Sequence, residues 1–566
     1  MVKRVNWRLA AFNFAVSACV LADNALALHG AGSVNLTTDN GWLAFELVTQ
    51  TDNIAAISDP GYGSTATRGN YDGLGTYVDG NQLSINLNHE TANAAISRVD
   101  LSISAARQAI QSKLDAGATP FPASIATGMG YSYDRIYDGA YHAVNNPNPA
   151  AIGIPAIVNY GNDWFDRFCS GTSYFPEAFG SGRGFVDAMY LTGEEVAGGK
   201  FYATDQATRT MWEVPSLGLG SWENAAQVDT GNTTHVALVL NSDVGSPFSD
   251  YIRLYVGQKG IDANADGAID FLERNGLRGG TTYYFTPDVP PTNDLPDGTV
   301  TGKWTLSTAA ALVEDKLEDV HTNPLDGAQL VFTDQTDGVY RLDTPLQFSG
   351  GAFDAAGTTV TISQIDDDDT PPLGAPDNLV WSRNGKIYVQ EDGDGYEIWE
   401  LDGGGGYLRI AQAFTEPSGI IDASEELGFE PGSVLLSSIM GTGTGTGAQL
   451  VALIAPTAQL AVPHGDFNRN GVVDAADYAL WRQGLGVSFT PADYNIWQAH
   501  FGQTAGGAAA KSLESSLISV PEPAGIGWAL GGAIAGLLYS LDARARNQSQ
   551  HHGAGSGRTK PRRAVV

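Results

Sequence analysis

The chemistry of this chain turns on Cys169, which sits in Phe168-Cys169-Ser170-Gly171-Thr172, upstream of a paired Glu194-Glu195 that closes the apolar run Met189-Tyr190-Leu191. The only other cysteine, Cys19, falls in a segment read below as an export signal, so the mature chain would carry one thiol with no disulfide partner. Such a thiol is an oxidation hazard outside the cell unless it is buried as a small hydrophobe or held as a metal thiolate. Two carboxylates placed where a strand leaves the core call for cations or hydrogen-bond donors, which favours the metal.

Further oxygen ligands stand at strand ends. Leu83 to Asn88 alternates as a strand and runs into His89 and Glu90; Gly218 to Gly220 leads to Glu223; Asp243 follows the strand begun at His235. Two strand-like runs flank Asn384-Gly385, a favoured hairpin turn. Antiparallel pairing then gathers Asp377, Asn378, Glu391 and Asp392 at the open end, a hard-cation site in outline. Two stretches also follow a calcium-loop pattern. In the first, Asp262, Asn264, Asp266, Ala268, Asp270 and Glu273 fall at ligand positions around Gly267; in the second, Asp466, Asn468, Asn470, Val472, Asp474 and Asp477 do so around Gly471.

The elements that must position these groups are mostly strands. Short β-rich runs separated by glycine and aspartate fill the body of the chain, with one clearly helical stretch from Ser102 to Leu114. A meander of this length exceeds one sandwich and predicts a mainly β fold, a β-propeller of about six blades. With 63 acids against 31 bases and a net charge of -32, the chain repels nucleic acid and favours calcium or a salty medium.

Five fragments, in order, resemble the PhoX family of secreted alkaline phosphatases: Asn88-His89-Glu90, Cys169 to Thr172, Glu194-Glu195, the glycine turn before Glu223, and Pro376-Asp377-Asn378. The resemblance implies a propeller with iron and calcium on its axis, acting on a small phosphorylated substrate. Cys169 would bind iron(III) with Glu90, Glu194 and Glu223, while Asp377, Asn378 and Glu391 would serve calcium. By the same likeness Glu90, Cys169, Glu194, Glu223 and Glu391 form the catalytic set, with Glu195, Asp243 and Asp392 as further metal ligands. Gly193 stands where that family commonly has another cysteine, and Asp243 lacks an acidic neighbour. Adjacent multivalent cations can neutralise phosphoryl oxygens and supply a nucleophile. Ser170 and Thr172 are alternative nucleophiles without an evident base, and Arg167 and Arg183 are candidate phosphate clamps. The rival readings are a propeller that keeps its metals for stability and serves as a binding protein, and a phytase-like esterase.

The flanks complete the expected plan: a signal peptide over 1–27, the propeller over 28–460, a small helical module over 461–505, a linker over 506–520, a sorting helix over 521–546 and a basic tail over 547–566. The module, in which Ala476-Asp477-Tyr478 recurs as Ala492-Asp493-Tyr494, resembles a dockerin and leaves a cohesin-like partner open. Val520-Pro521-Glu522-Pro523, the apolar run Ala524 to Leu541 and the following arginines resemble a PEP-CTERM sorting signal. That likeness implies export to the cell envelope or beyond, with transient membrane anchoring through a single helix.

Overall fold

The computed structural model describes residues 34–49, 70–91, 94–116, 125–144, 165–243, 251–289, 295, 297–314, 316–366, 372–393, 395–441, 447–461, 463, 465–468, 471–485, 489 and 491–504. Contacts divide the chain into Met1–Ala508 and Ala509–Val566, the second lying wholly outside these residues.

Six strands organise the larger unit: Tyr71–Asp79, Phe168–Tyr174, Trp222–Val228, Leu317–Thr322, Pro376–Trp381 and Pro417–Asp422. Each packs against the next in chain order, and the sixth packs against the first, closing a ring. Every ring strand is also the edge of an antiparallel run extending outward. Two runs are completed by the start of the chain: Leu36–Thr38 pairs with Tyr407–Ala413, and Leu43–Thr49 with Gln449–Ile454. Joining early strands to late ones closes the ring without a free end.

These sheets are buried on both faces. In Gln82–His89 the apolar Leu83, Ile85 and Leu87 are fully buried, and so are the alternate Ser84, Asn86 and Asn88. The polar row is tolerated because it has partners: Ser84 Oγ donates to Asp100 Oδ1 at 2.7 Å, and Asn86 Oδ1 accepts from Ser132 Oγ at 2.7 Å. The expected helix forms over Ile103–Ala116 and seats Ile103 and Ile110 in the same core as that strand. The Asn384-Gly385 hairpin forms as well, but with a wider turn. Ser382 O accepts from Gly385 N, Ser382 N donates to Lys386 O, and Gly385 takes the left-handed conformation, a type I turn with a glycine bulge.

Two expectations about architecture are corrected. About six separate blades were expected, but the described residues form sheets of unequal size, one of nine strands. Trp222–Val228 and Leu317–Thr322 are its two edges, because Thr299–Thr305 pairs with Thr359–Asp366 and fuses two outward runs. The single apolar helix, the membrane contact and the transient anchoring are corrected too: no helix among the described residues is long and apolar enough to cross a membrane. The segment expected to supply it, 521–546, lies outside the described residues, as does the signal segment 1–27.

Candidate metal centre

One position recurs around the ring. Asp72, Cys169, Glu223, Glu318 and Asp377 are each the second residue of a ring strand, and Glu416 immediately precedes the sixth. All six face one cavity of about 230 Å³, together with Glu90, Glu195, Asp243 and Asp392. Within it, potential ligand atoms lie within 4.8 Å of one another in four trios: Asp72, Glu90 and Cys169; Cys169, Glu195 and Glu223; Glu223, Asp243 and Glu318; and Asp377, Asp392 and Glu416. Cys169 and Glu223 each belong to two trios, which links three of the four corners.

Close packing fixes the cysteine. A Cβ on Gly73 would lie 2.5 Å from Cys169 O, so only glycine lets the first two ring strands approach this closely. Asn88 Nδ2 then donates to Cys169 O at 2.7 Å, Ser170 O at 3.0 Å and Thr192 Oγ1 at 2.8 Å. Gly193 has a packing role: a Cβ there would meet Trp222 Cβ at 2.3 Å, leaving no room for a cysteine.

Adjacent acids divide between two surroundings. Glu195 enters the cavity, and its Oε2 accepts from Cys169 Sγ at 2.8 Å. Glu194 does not line it; its carboxylate accepts from Asp166 N at 3.2 Å and Lys200 N at 3.1 Å. Asp392 likewise enters, while Glu391 accepts from Gly374 N, Trp399 Nε1 and Glu397 N, tying together the loop and strands around it. Asp377, Asn378, Glu90, Glu223 and Asp243 all line the cavity. Asp72, Glu318, Glu416 and Lys316 were missed. The signal that would have found the acids is the carboxylate repeated at the start of five of the six inner strands, with Cys169 at the same position of the other.

Crowding these acids away from water favours their protonated forms. Burial, followed by the Glu195 and Glu416 charges, pushes Glu90 up to about 7, and burial with Asp392 pushes Glu416 to about 7. Burial raises Glu318 to about 8 against the pull of Lys316. Asp72, Glu223, Asp377 and the Cys169 thiol are held well above their ordinary values, burial again being the largest cause. Two cations answer this charge. Arg167 Nη1 stands 3.5 Å from Glu195 Oε1 and 3.9 Å from Glu90 Oε1, and Lys316 Nζ bridges Asp243 and Glu318. Arg183 does not line the cavity; it pairs with Asp229 and donates to Phe179 O.

The two calcium-loop stretches lie apart from this cavity. In the first, Asp262 accepts from Asp266 N and Gly267 N, Asn264 Nδ2 donates to Asp266 Oδ2, and Ala268 N donates to Asp266 Oδ1. Asp270 and Glu273 form a capping box on the short helix Phe271–Arg274, and Tyr141 Oη donates to Asp270 Oδ1 at 2.9 Å. In the second, Asp466 Oδ2 accepts from Gly471 N, and Asp477 accepts from Asn468 N and Asp474 N. Val472 forms a bridge with Thr504, whereas Asn470 lies outside the described residues. Helices Ala475–Gly484 and Pro491–His500 follow and meet through Tyr478, Trp481, Tyr494 and Trp497.

No protein-family model and no curated protein matches the chain. Among solved structures, it is similar in fold to Pseudomonas fluorescens PhoX in complex with vanadate, a transition state analogue: TM-score 0.51 and 13% identity, covering 76% of this chain and 98% of that one. The GH93 α-L-arabinofuranosidase of Fusarium graminearum in complex with arabinobiose matches at TM-score 0.31 and 11% identity over 73% of this chain and 98% of that one. U3-55K matches at 0.32 and 8% over 69% and 97%. The last two scores are too low to carry an argument, whereas the first shows a shared fold. Here that fold carries clusters of side chains able to hold metal ions.

Proposed function

We propose that this chain hydrolyses phosphate monoesters with the help of iron(III) at Cys169 and calcium on the surrounding carboxylates. The observation that supports this reading is the convergence of a ligand-type side chain from every ring strand on one acidic cavity. The donor set suits such ions. A thiolate flanked by carboxylates fits iron, and the all-oxygen trio of Asp377, Asp392 and Glu416 fits calcium. The buried Asn378 Oδ1 has no hydrogen-bond partner and lines the same cavity, an acceptor in want of a cation. The vanadate in the PhoX structure is a mimic of phosphoryl transfer, which favours a phosphate ester over other substrates.

When bound, the ions would neutralise phosphoryl oxygens and supply a nucleophile. The chain's own groups prepare that site. Glu195 Oε2 lies where the proton on Cys169 Sγ can be received when the thiol becomes a thiolate. Asn378 Nδ2 donates to Ser170 Oγ at 2.8 Å, fixing the serine and aiming the amide. Arg167, half-buried beside the cavity, orients an incoming phosphate through its guanidinium fork. The loops beginning at Asp262 and Asp466 serve as calcium sites that stabilise the fold, the second within a dockerin-like appendage.

Metal analysis of the purified full chain, with turnover of a generic aryl phosphate, tests the reading. Iron and calcium should co-purify with phosphatase activity. A thiolate-to-iron absorption band should disappear, along with turnover, in Cys169→Ala. A colourless, iron-free and fully active protein would remove iron, and an iron- and calcium-loaded protein without turnover would remove the hydrolase.

A further inference from the structure

Lys316 differs from every other cation at the acidic cavity. Its Nζ lies 2.6 Å from Asp243 Oδ2 and 2.7 Å from Glu318 Oε1, whereas Arg167 approaches its carboxylates no nearer than 3.5 Å. Both residues belong to the Glu223, Asp243 and Glu318 trio, the corner where one ligand atom from each falls within 4.8 Å of the others. Calcium binds oxygen at about 2.3–2.6 Å, so an ammonium at this distance takes nearly the position an ion would need. The other oxygen of Asp243 is buried and has no hydrogen-bond partner, a ligand atom left over at the same corner. Among the described residues, no lysine forms an ion pair with a member of the cavity's other trios.

We propose that Lys316 is a built-in counter-cation that fills this corner in place of a metal ion, so that the cavity holds one cation fewer than its acidic side chains could accept. This rests on the reading that the other corners bind metal, and it adds what sets their number. An ammonium and a divalent ion cannot share one pair of oxygens at these distances, and only the ammonium is covalently tethered. Removing it leaves three converging carboxylates with no charge between them, a site for a hard cation. Lysine's compact charge suits the role, since a planar guanidinium spreads its charge over a wider fork.

The test uses the full chain, stripped with a chelator and reloaded with calcium, and compares wild type, Lys316→Met and Lys316→Arg. Lys316→Met should bind one more calcium per chain than wild type by elemental analysis, and calcium should raise its melting temperature more than that of wild type. Lys316→Arg, which keeps the charge, should show no such gain. A folded Lys316→Met with an unchanged or smaller ion count overturns the proposal. Should Lys316→Met fold only in calcium, its calcium-dependent recovery alongside an Arg variant that needs none supports the same conclusion; failure of recovery at any calcium level counts against it. If wild type takes up no metal while the Met variant takes one, the proposal stands and the metal reading of the other corners falls. If neither binds metal, both fall.

Discussion

The two ends of the ring are built from the same six strands and solve opposite problems. Near the strand starts, a cavity of about 230 Å³ is lined by acids, one thiol and few apolar groups. Beyond it along the same strands, a cavity of about 300 Å³ is walled by Leu74, Phe175, Phe179, Val320, Trp381 and Ile420. Its histidine, His321, is pushed down to about 4 by burial and is neutral at ordinary pH. Asp319 also lines this second cavity and shows what a buried acid needs without a metal. It accepts from Asn224 Nδ2 at 2.5 Å, Val320 N at 2.7 Å and Leu379 N at 3.0 Å, bonds that oppose a burial-driven rise to about 6. At the acidic end, Asp243 Oδ1 and Asn378 Oδ1 are buried with no such partner. A buried oxygen answered by backbone and amide donors is structural; one left facing like charges asks for a cation.

The sharpest way to break this contrast is Glu223→Gln. Glu223 is buried and shared by two trios, so removing its charge while keeping its volume should lower turnover about a hundredfold, roughly 3 kcal/mol. The chain should remain folded, because the neutral amide relieves like-charge crowding. Steady-state kinetics and melting on one preparation check this. Undiminished turnover in a folded variant would place Glu223 among structural acids such as Asp319.

A smaller effect separates members of an adjacent pair. Glu391→Gln should cost about 1–3 kcal/mol of stability, since its carboxylate answers two backbone N–H groups and an indole, and leave turnover per folded molecule unchanged. Denaturant melts with parallel assays decide it. A large loss of turnover at wild-type stability would return Glu391 to the site.

That pair also shows how far the sequence could be read. Cys169, Glu90, Glu223 and Asp377 were legible because each stood in a short fragment that resembles a known family's motifs. Glu194 against Glu195, and Glu391 against Asp392, were not. Successive strand residues point to opposite faces, so a shift of one position exchanges the members. The register shift between Thr192 and Glu194 is such an irregularity, and no sequence pattern marks it. Glu318 and Glu416 were hidden for another reason: in a chain with this many acids, a single carboxylate at a strand start carries little signal until the ring places five of them beside Cys169. The nine-stranded sheet was equally unreadable, since the pairing of Thr299–Thr305 with Thr359–Asp366 crosses a long separation that local periodicity does not encode.

The acidic end should also report itself through pH. Burial lifts Glu90 and Glu416 from an ordinary 4.5 to about 7, so between those values the folded, metal-free chain holds protons that the unfolded chain has released. These acids therefore contribute their stability below about pH 4.5 and lose it as the pH rises through 7. Chelated protein should melt several degrees lower at pH 8 than at pH 5, and calcium should restore more at pH 8, where the carboxylates are ionised. A chelated protein equally stable at both values would mean these groups are neutralised by something other than protons or metal.

The smallest effect is expected at the apolar end. Phe175 lines that cavity and is 41% exposed, so Phe175→Ser surrenders only part of a side chain's burial. At about 25 cal/mol per Å² of apolar area, this should cost on the order of 1 kcal/mol. Turnover, metal content and the pH dependence of melting should all stay at wild-type values, because Asn224 and Asp319, which line the cavity between its apolar wall and the acids, are held by partners other than the phenyl ring. Measuring all four on one variant makes this a stringent control. A change in turnover or ion count without a matching loss of stability would mean that the two ends communicate through that polar layer, and the ring would then have to be treated as one functional channel.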